Sequence, residues 1–267
     1  VFYSINYFIR FGFLQDSANA AGIAIVHSVF NIVATILLLP FSKGLEKLAC
    51  LTIRNDEQET AFISQAQKDF KLLDQRFLET PGFATEQCKV VARNMAELTK
   101  EALFSSMVLI SNYDKKQALH VQELEEEIDQ YEDGLGTYMV KLSQKQLSEK
   151  DSHTLSIILH CLSDFERISD HAVNIMRSAK EMHEKELSFS KKAVEELAIY
   201  TQAVREIVDM SFDVFINEDI TKASFVEPLE EVIDNINDKA KKHHIKRMQK
   251  GKCTMELGII FEDLITN

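Results

Sequence analysis

Tryptophan is absent from this 267-residue chain, proline occurs three times and glycine eight times. So few turn formers exclude an architecture of many short strands, because tight turns draw on those residues. The four cysteines, Cys50, Cys88, Cys161 and Cys253, are scattered with no Cys-x-x-Cys pair. That excludes a disulfide framework and a zinc site and fits a reducing compartment. A glycine-rich phosphate loop and a nucleophile elbow are both missing. None of the eight histidines follows a glutamate by three residues, so the Glu-x-x-His pairs of an oxidative carboxylate-bridged oxidoreductase are missing too. Cations are in short supply: Lys and Arg number 30 against 42 Asp and Glu, a formal charge of −12. Such a chain is not expected to bind nucleic acid; it suits cation binding or an acidic solvated surface. Nothing here asks for catalysis, and the expectation is a protein that is not an enzyme. The chain opens on Val1 with no basic region before a hydrophobic run, which suggests a piece of a longer protein.

What is present is helix-forming sequence, rich in Leu, Ala, Glu, Lys and Ile. Residues 1–17 are aromatic-rich and read as an interfacial or extracytoplasmic segment. Residues 18–42 carry no formal charge. About 22 helical residues cover about 33 Å, enough for a hydrocarbon core of about 30 Å, so a transmembrane helix is expected there. Lys43, Lys47 and Arg54 follow this stretch, against Arg10 alone before it, which places the C-terminal side in the cytoplasm. Within it His27 and Asn31 lie one turn apart; polar groups at that depth serve either transport or helix–helix packing. Residues 43–80 read as a connecting helical segment. Amphipathic helices are then expected over 84–109, 116–142, 151–182, 190–216, 225–250 and from 254 onward, giving an all-α bundle.

An internal repeat changes the weight of the acidic residues. VQELEEEIDQYED (121–133) echoes VEPLEEVIDNIND (226–238), with Glu125, Asp129, Asp133 and Glu230, Asp234, Asp238 at matching positions. Leu124, Ile128, Tyr131 and Leu135 form an apolar seam beside the first ladder. The following helix carries DFERISDHAVNI (164–175), where Glu166, Asp170 and Asn174 recur every fourth residue. SIILHCLSDFER (156–167) is echoed by IIFEDLITN (259–267), so the unit is a three-helix module used twice, its second copy cut short. Stacked carboxylates repel unless a cation lies between them, and their oxygens suit hard or borderline metals. The alternative is an acidic solvated face inherited by duplication.

ERISDHAVNI after LEEEIDQYED, in duplicated three-helix modules, resembles the PhoU family of phosphate-regulon proteins. The resemblance implies a six-helix bundle whose Glu/Asp-x-x-x-Asp motifs hold iron or another divalent or trivalent cation, in multinuclear clusters. Glu166 and Asp170 match that motif, as do Glu125/Asp129 and Glu230/Asp234, with Asp164 and Asn174 as flanking candidates. GIAIVHSVFNIVATILLLPF is similar to the last transmembrane helix of sodium/phosphate cotransporters, through His27, Phe30 and Asn31. Together these imply the C-terminal portion of a multi-pass inner-membrane phosphate transporter coupled to Na+. Inorganic phosphate, the membrane, upstream transporter helices and further copies of the chain would be its partners, and residues 81–267 its cytoplasmic regulatory domain. A membrane-anchored regulator or scaffold without transport is the second expectation.

Overall fold

The computed structural model describes residues 27–33, 35 and 64–267. The chain divides into two compact units, residues 1–62 and 63–267. In the first, residues 27–33 and 35 are helical; Asn31 Nδ2 donates to His27 Nδ1 at 3.2 Å and Thr35 Oγ1 donates to the Asn31 carbonyl at 2.8 Å. His27 and Asn31 therefore share one face, as their spacing implies. The rest of the expected span over 18–42, the segment 1–17 and residues 43–63 lie outside the described residues. Among the described residues no helix is long and apolar enough to cross a membrane.

The second unit opens with a short helix, α1 (Gln65–Asp69), and two 3₁₀ turns, Phe70–Leu72 and Gln75–Glu79. The connecting helical segment expected over 43–80 is thus broken after Asp69. Asp69 is turned inward, and Asp74 caps the second turn by accepting from the Arg76 backbone N–H at 2.8 Å. Six long helices follow: α2 (Pro81–Ser111), α3 (Lys115–Ser143), α4 (Glu149–Glu184), α5 (Lys191–Asn217), α6 (Ile220–Gln249) and α7 (Met255–Thr266).

The boundaries follow local chemistry. Pro81 opens α2, where a missing N–H costs nothing. Asp114, Ser148, Ser190, Asp219 and Thr254 cap the next five helices through side-chain oxygens. Gly251 leaves α6 at φ +64°, and the N–H of Lys252 reaches back to the Arg247 carbonyl at 2.9 Å. Short connections make α2 and α3, α3 and α4, and α5 and α6 antiparallel neighbours. α2, α3 and α4 pack on one another, α5 packs on α6, and α7 lies against α4 and α6, while α2 and α5 join the two groups. This is the expected all-α arrangement of two three-helix modules. The seam residues Leu124, Ile128, Tyr131 and Leu135 are all buried.

The segment 64–80 is docked on α3. Glu127 accepts the Ala66 backbone N–H at 2.7 Å, and the Tyr138 hydroxyl donates to the Asp74 carbonyl at 3.0 Å. Gly134 lies under the Phe70 ring, so close that a Cβ there would come within 2.5 Å of it. Phe70 in turn meets Tyr131 edge-on at 5.7 Å. Alanine in a helix interior gains about 1 kcal/mol over glycine, whereas overpacking costs about 1–3 kcal/mol. Gly134→Ala is therefore expected to destabilise by about 1 kcal/mol net, and Gly136→Ala, with open space around it, to stabilise by about as much. Chemical denaturation of the two variants checks the pair; in a Phe70→Leu background the Gly134→Ala loss should vanish.

Candidate functional site

α3 and α4 run antiparallel, and their acidic residues meet across the contact. Burial first, then the charges of Asp129, Asp170 and Glu126, holds the Glu125 carboxyl above its ordinary range, with Arg177 pulling the other way. Asp129 is raised by burial and by Asp170, Asp133 and Glu126. Glu166 is raised by burial, by Asp170, Glu132 and Asp129, and by its carboxyl–carboxyl contact with Asp170. These mutual influences reflect the register in which the helices pack: Glu125 and Asp129 stand near Asp170, and Asp129 and Glu132 near Glu166. Glu125, Glu132 and Glu166 are half-buried; Asp129, Asp133 and Asp170 are exposed.

Glu132 was not singled out by the repeat, yet it belongs to the face, raised by burial and by Asp129 and Asp133. The signal for it was there. On a straight helix the seventh residue after Glu125 returns to within about 20° of it, whereas the eighth, Asp133, lies about 80° away. In the second copy the matching position is Asn237, whose Oδ1 is buried without a partner among the described residues.

The second ladder is elsewhere. Glu230 and Asp234 line an open hollow of about 440 Å³ on α6, with Glu227 and Glu231. Asp238 is exposed, 4.0 Å from Lys242. Of the flanking candidates, Asp164 acts on Cys161, and Asn174 Nδ2 donates to Asn267 Oδ1 at 3.1 Å, toward α7. The structure thus brings together Glu125, Asp129, Asp133, Glu166 and Asp170 and does not bring Glu230, Asp234 and Asp238 to them.

The α3/α4 face fits a cation in donor type and charge: six carboxylates, oxygen donors throughout, with Arg177 acting in the opposite sense on Glu125. In the side-chain conformations described, no three His, Cys, Asp or Glu groups are drawn together closely enough to hold one ion.

The buried counterpart of this face is Asp69. It accepts from Gln65 Nε2 at 3.0 Å, Asn94 Nδ2 at 2.7 Å and the Tyr131 hydroxyl at 2.5 Å. Burial and Asp69 push the Tyr131 hydroxyl far up, so it remains a donor. On α3, Glu127, Tyr131, Gly134 and Tyr138 form the stripe that holds segment 64–80. Glu125, Asp129 and Glu132 form a second stripe about 160° around the same helix. One helix carries both.

Residues 92–179, which include the α3/α4 acidic face, match the PhoU domain family. Over 229 residues the chain is 22% identical to YjbB of Escherichia coli (strain K12), to which inorganic phosphate export is ascribed. That match covers 84% of this chain and 40% of the relative, so the chain spans about two fifths of the length of this curated relative. Phosphate-specific transport system accessory protein PhoU homolog 1 of Thermotoga maritima is 26% identical over 104 residues, covering 39% of this chain and 44% of that protein. PhoU from Pseudomonas aeruginosa, a crystal structure, shares the fold with a TM-score of 0.63 at 20% identity, over 68% of this chain and 86% of that one. The fold is PhoU-like.

Proposed function

We propose that this chain is the regulatory helical part of a membrane protein that moves inorganic phosphate, with Na+ as the coupling ion, and that it works without catalysing a reaction. The observation that carries the proposal is the double duty of α3, with the acidic stripe on one side and the docked segment 64–80 on the other. A bound cation such as iron or manganese would neutralise the repulsion between Glu125, Asp129, Glu132, Asp133, Glu166 and Asp170. Burial first and then this repulsion hold Glu125, Asp129, Glu132 and Glu166 above their ordinary range. Relieving it favours a closer α3/α4 approach, and α3 passes the change to Tyr131 and Asp69. Residues 64–80 then report the cation state of the bundle to the chain that precedes them. Likeness to YjbB supports phosphate movement across a membrane, and the uncharged stretch 18–42 with His27 and Asn31 supports attachment to it.

The test is labelled-phosphate flux in membrane vesicles carrying the intact protein, in Na+ and in choline buffers. Flux is expected to require Na+ and to change at least about fivefold in Glu166→Gln/Asp170→Asn, the size of an allosteric coupling of about 1 kcal/mol. Flux indifferent to both sodium and the substitutions would sink the reading. A second reading is favoured by the Thermotoga match: a membrane-anchored regulator or scaffold acting on a separate transporter. In that case the purified protein in liposomes carries no flux, while the substitutions still alter phosphate uptake by cells.

A further inference from the structure

α2, α4 and the end of α5 enclose a cleft of about 620 Å³ that plays no part in the acidic face. Its rim is basic in a chain that is strongly acidic. Lys89 and Arg93 come from α2, Lys150 and His153 from the first turns of α4. Its floor is apolar, with Ile157 and Ile158 on one side and Val214 and Phe215 on the other. The volume lies within the range of pockets that hold small organic ligands.

Glu218 bridges the α2 pair, and Glu86, on α2 itself, stands 4.0 Å from Lys89 as well. Lys89 Nζ lies 2.5 Å from Glu218 Oε1, and Arg93 Nη2 donates to the same oxygen at 3.1 Å. Glu218 ends α5 in the left-handed region at φ +56°, a conformation that side chains other than Gly and Asn seldom adopt. Its side chain is 58% exposed, against 20% for Lys89. Lys89 and Arg93 stand one turn apart on α2, at 20% and 39% side-chain exposure, and Glu218, the more exposed partner, is the group an incoming anion would displace. An oxyanion with several oxygens can engage both cations at once, which one shared carboxylate oxygen does less well.

We propose that this cleft binds an organic phosphate monoester, its phosphate between Lys89 and Arg93 in place of Glu218, its apolar or aromatic body on the Ile157–Phe215 floor. Lys150 and His153 stand at the mouth, where they draw the dianion in. The inference does not rest on cation binding by the α3/α4 face.

Isothermal titration of the purified chain with AMP, hexyl phosphate, adenosine and inorganic phosphate tests it. At least one monoester is expected to bind with a Kd on the order of 10–100 μM and about tenfold or more tightly than inorganic phosphate or adenosine. Lys89→Met with Arg93→Met should weaken it by about tenfold or more, and Glu218→Gln, which removes the competing carboxylate, should strengthen it about threefold. Lys150→Met, at an exposed position, serves if the double variant does not fold, and should weaken binding several-fold with helicity unchanged. The proposal is overturned if neither monoester binds, if inorganic phosphate binds as tightly as both, or if affinity survives the removal of these cations.

Discussion

Asp69→Ala is expected to lower stability by about 4 kcal/mol, because it strands the Tyr131 hydroxyl and leaves Asn94 short of an acceptor. Each stranded buried polar group costs about 1–3 kcal/mol, beyond the lost charge-assisted bonds. Tyr131 is fully buried, with Phe70 edge-on against its ring, so the stranded hydroxyl is cut off from bulk solvent. At about 2–4 °C per kcal/mol for a unit of this size, the thermal midpoint falls by about 8–16 °C. Part of the loss is local, since residues 64–80 can detach before the bundle opens. Lys68, Lys71 and Arg76 lie in that segment, so trypsin should cut the variant there far faster than the parent. Asp69→Ala combined with Tyr131→Phe removes one stranded donor and should recover about 1 kcal/mol or more. Unchanged melting and unchanged cleavage would show that Asp69 does not hold the segment.

Neutralising the acidic face should do the opposite to the metal-free protein. Glu166→Gln with Asp129→Asn relieves several like-charge pairs, each of a few tenths of a kcal/mol on a partly solvated surface. A gain of about 1 kcal/mol, or about 2–4 °C, is expected in chelator. The carboxyls of Glu125, Asp129, Glu132 and Glu166 sit above their unfolded values in the folded protein, so the folded state holds more protons than the unfolded one. Stability from these groups is therefore fullest below their ordinary values, 4.5 for Glu and 3.8 for Asp, and is lost as pH rises through the raised ones. The advantage of the variant should vanish at the acid end and reach its plateau by neutral pH. With Mn2+ at about a hundred times its dissociation constant the parent gains about 2.7 kcal/mol, and the variant gains little or nothing. Differential scanning calorimetry across pH, with and without Mn2+, reads all of this. A parent indifferent to Mn2+, Fe3+ and Mg2+ alike would remove the cation from the proposed function.

The lowered carboxyls lie elsewhere and work in the other direction. Asp74, Glu79, Asp213, Glu218 and Asp219 are held down mainly by hydrogen bonds from Arg76, Lys145, Lys222, Lys89 and Thr221 respectively. Their contribution is present above the ordinary carboxylate values and lost on acidification. All five sit at well-solvated positions, so this part of the pH response is the weaker one.

The sequence by itself determined the helices, their ends and the carboxylate stripes. Those are local properties: a capping Ser or Asp, a Gly at a helix exit and a 3.6-residue period act over a few neighbouring residues. The apolar seam of Leu124, Ile128, Tyr131 and Leu135 was legible for the same reason. The tertiary structure alone decided which stripes meet. Glu125 and Asp170 come together because α3 and α4 cross in one register, while the equally regular Glu230 and Asp234 face an open hollow and Asp238 stands exposed beside Lys242. Segment 64–80 reads as helix by composition, yet it breaks after Asp69, because the tertiary hydrogen bonds from Asn94 and the buried Tyr131 hydroxyl outweigh the small helical preference of a few residues. The Lys89–Arg93 cleft left no trace in the sequence either: its floor and rim come from helices far apart in the chain, and only packing gathers them.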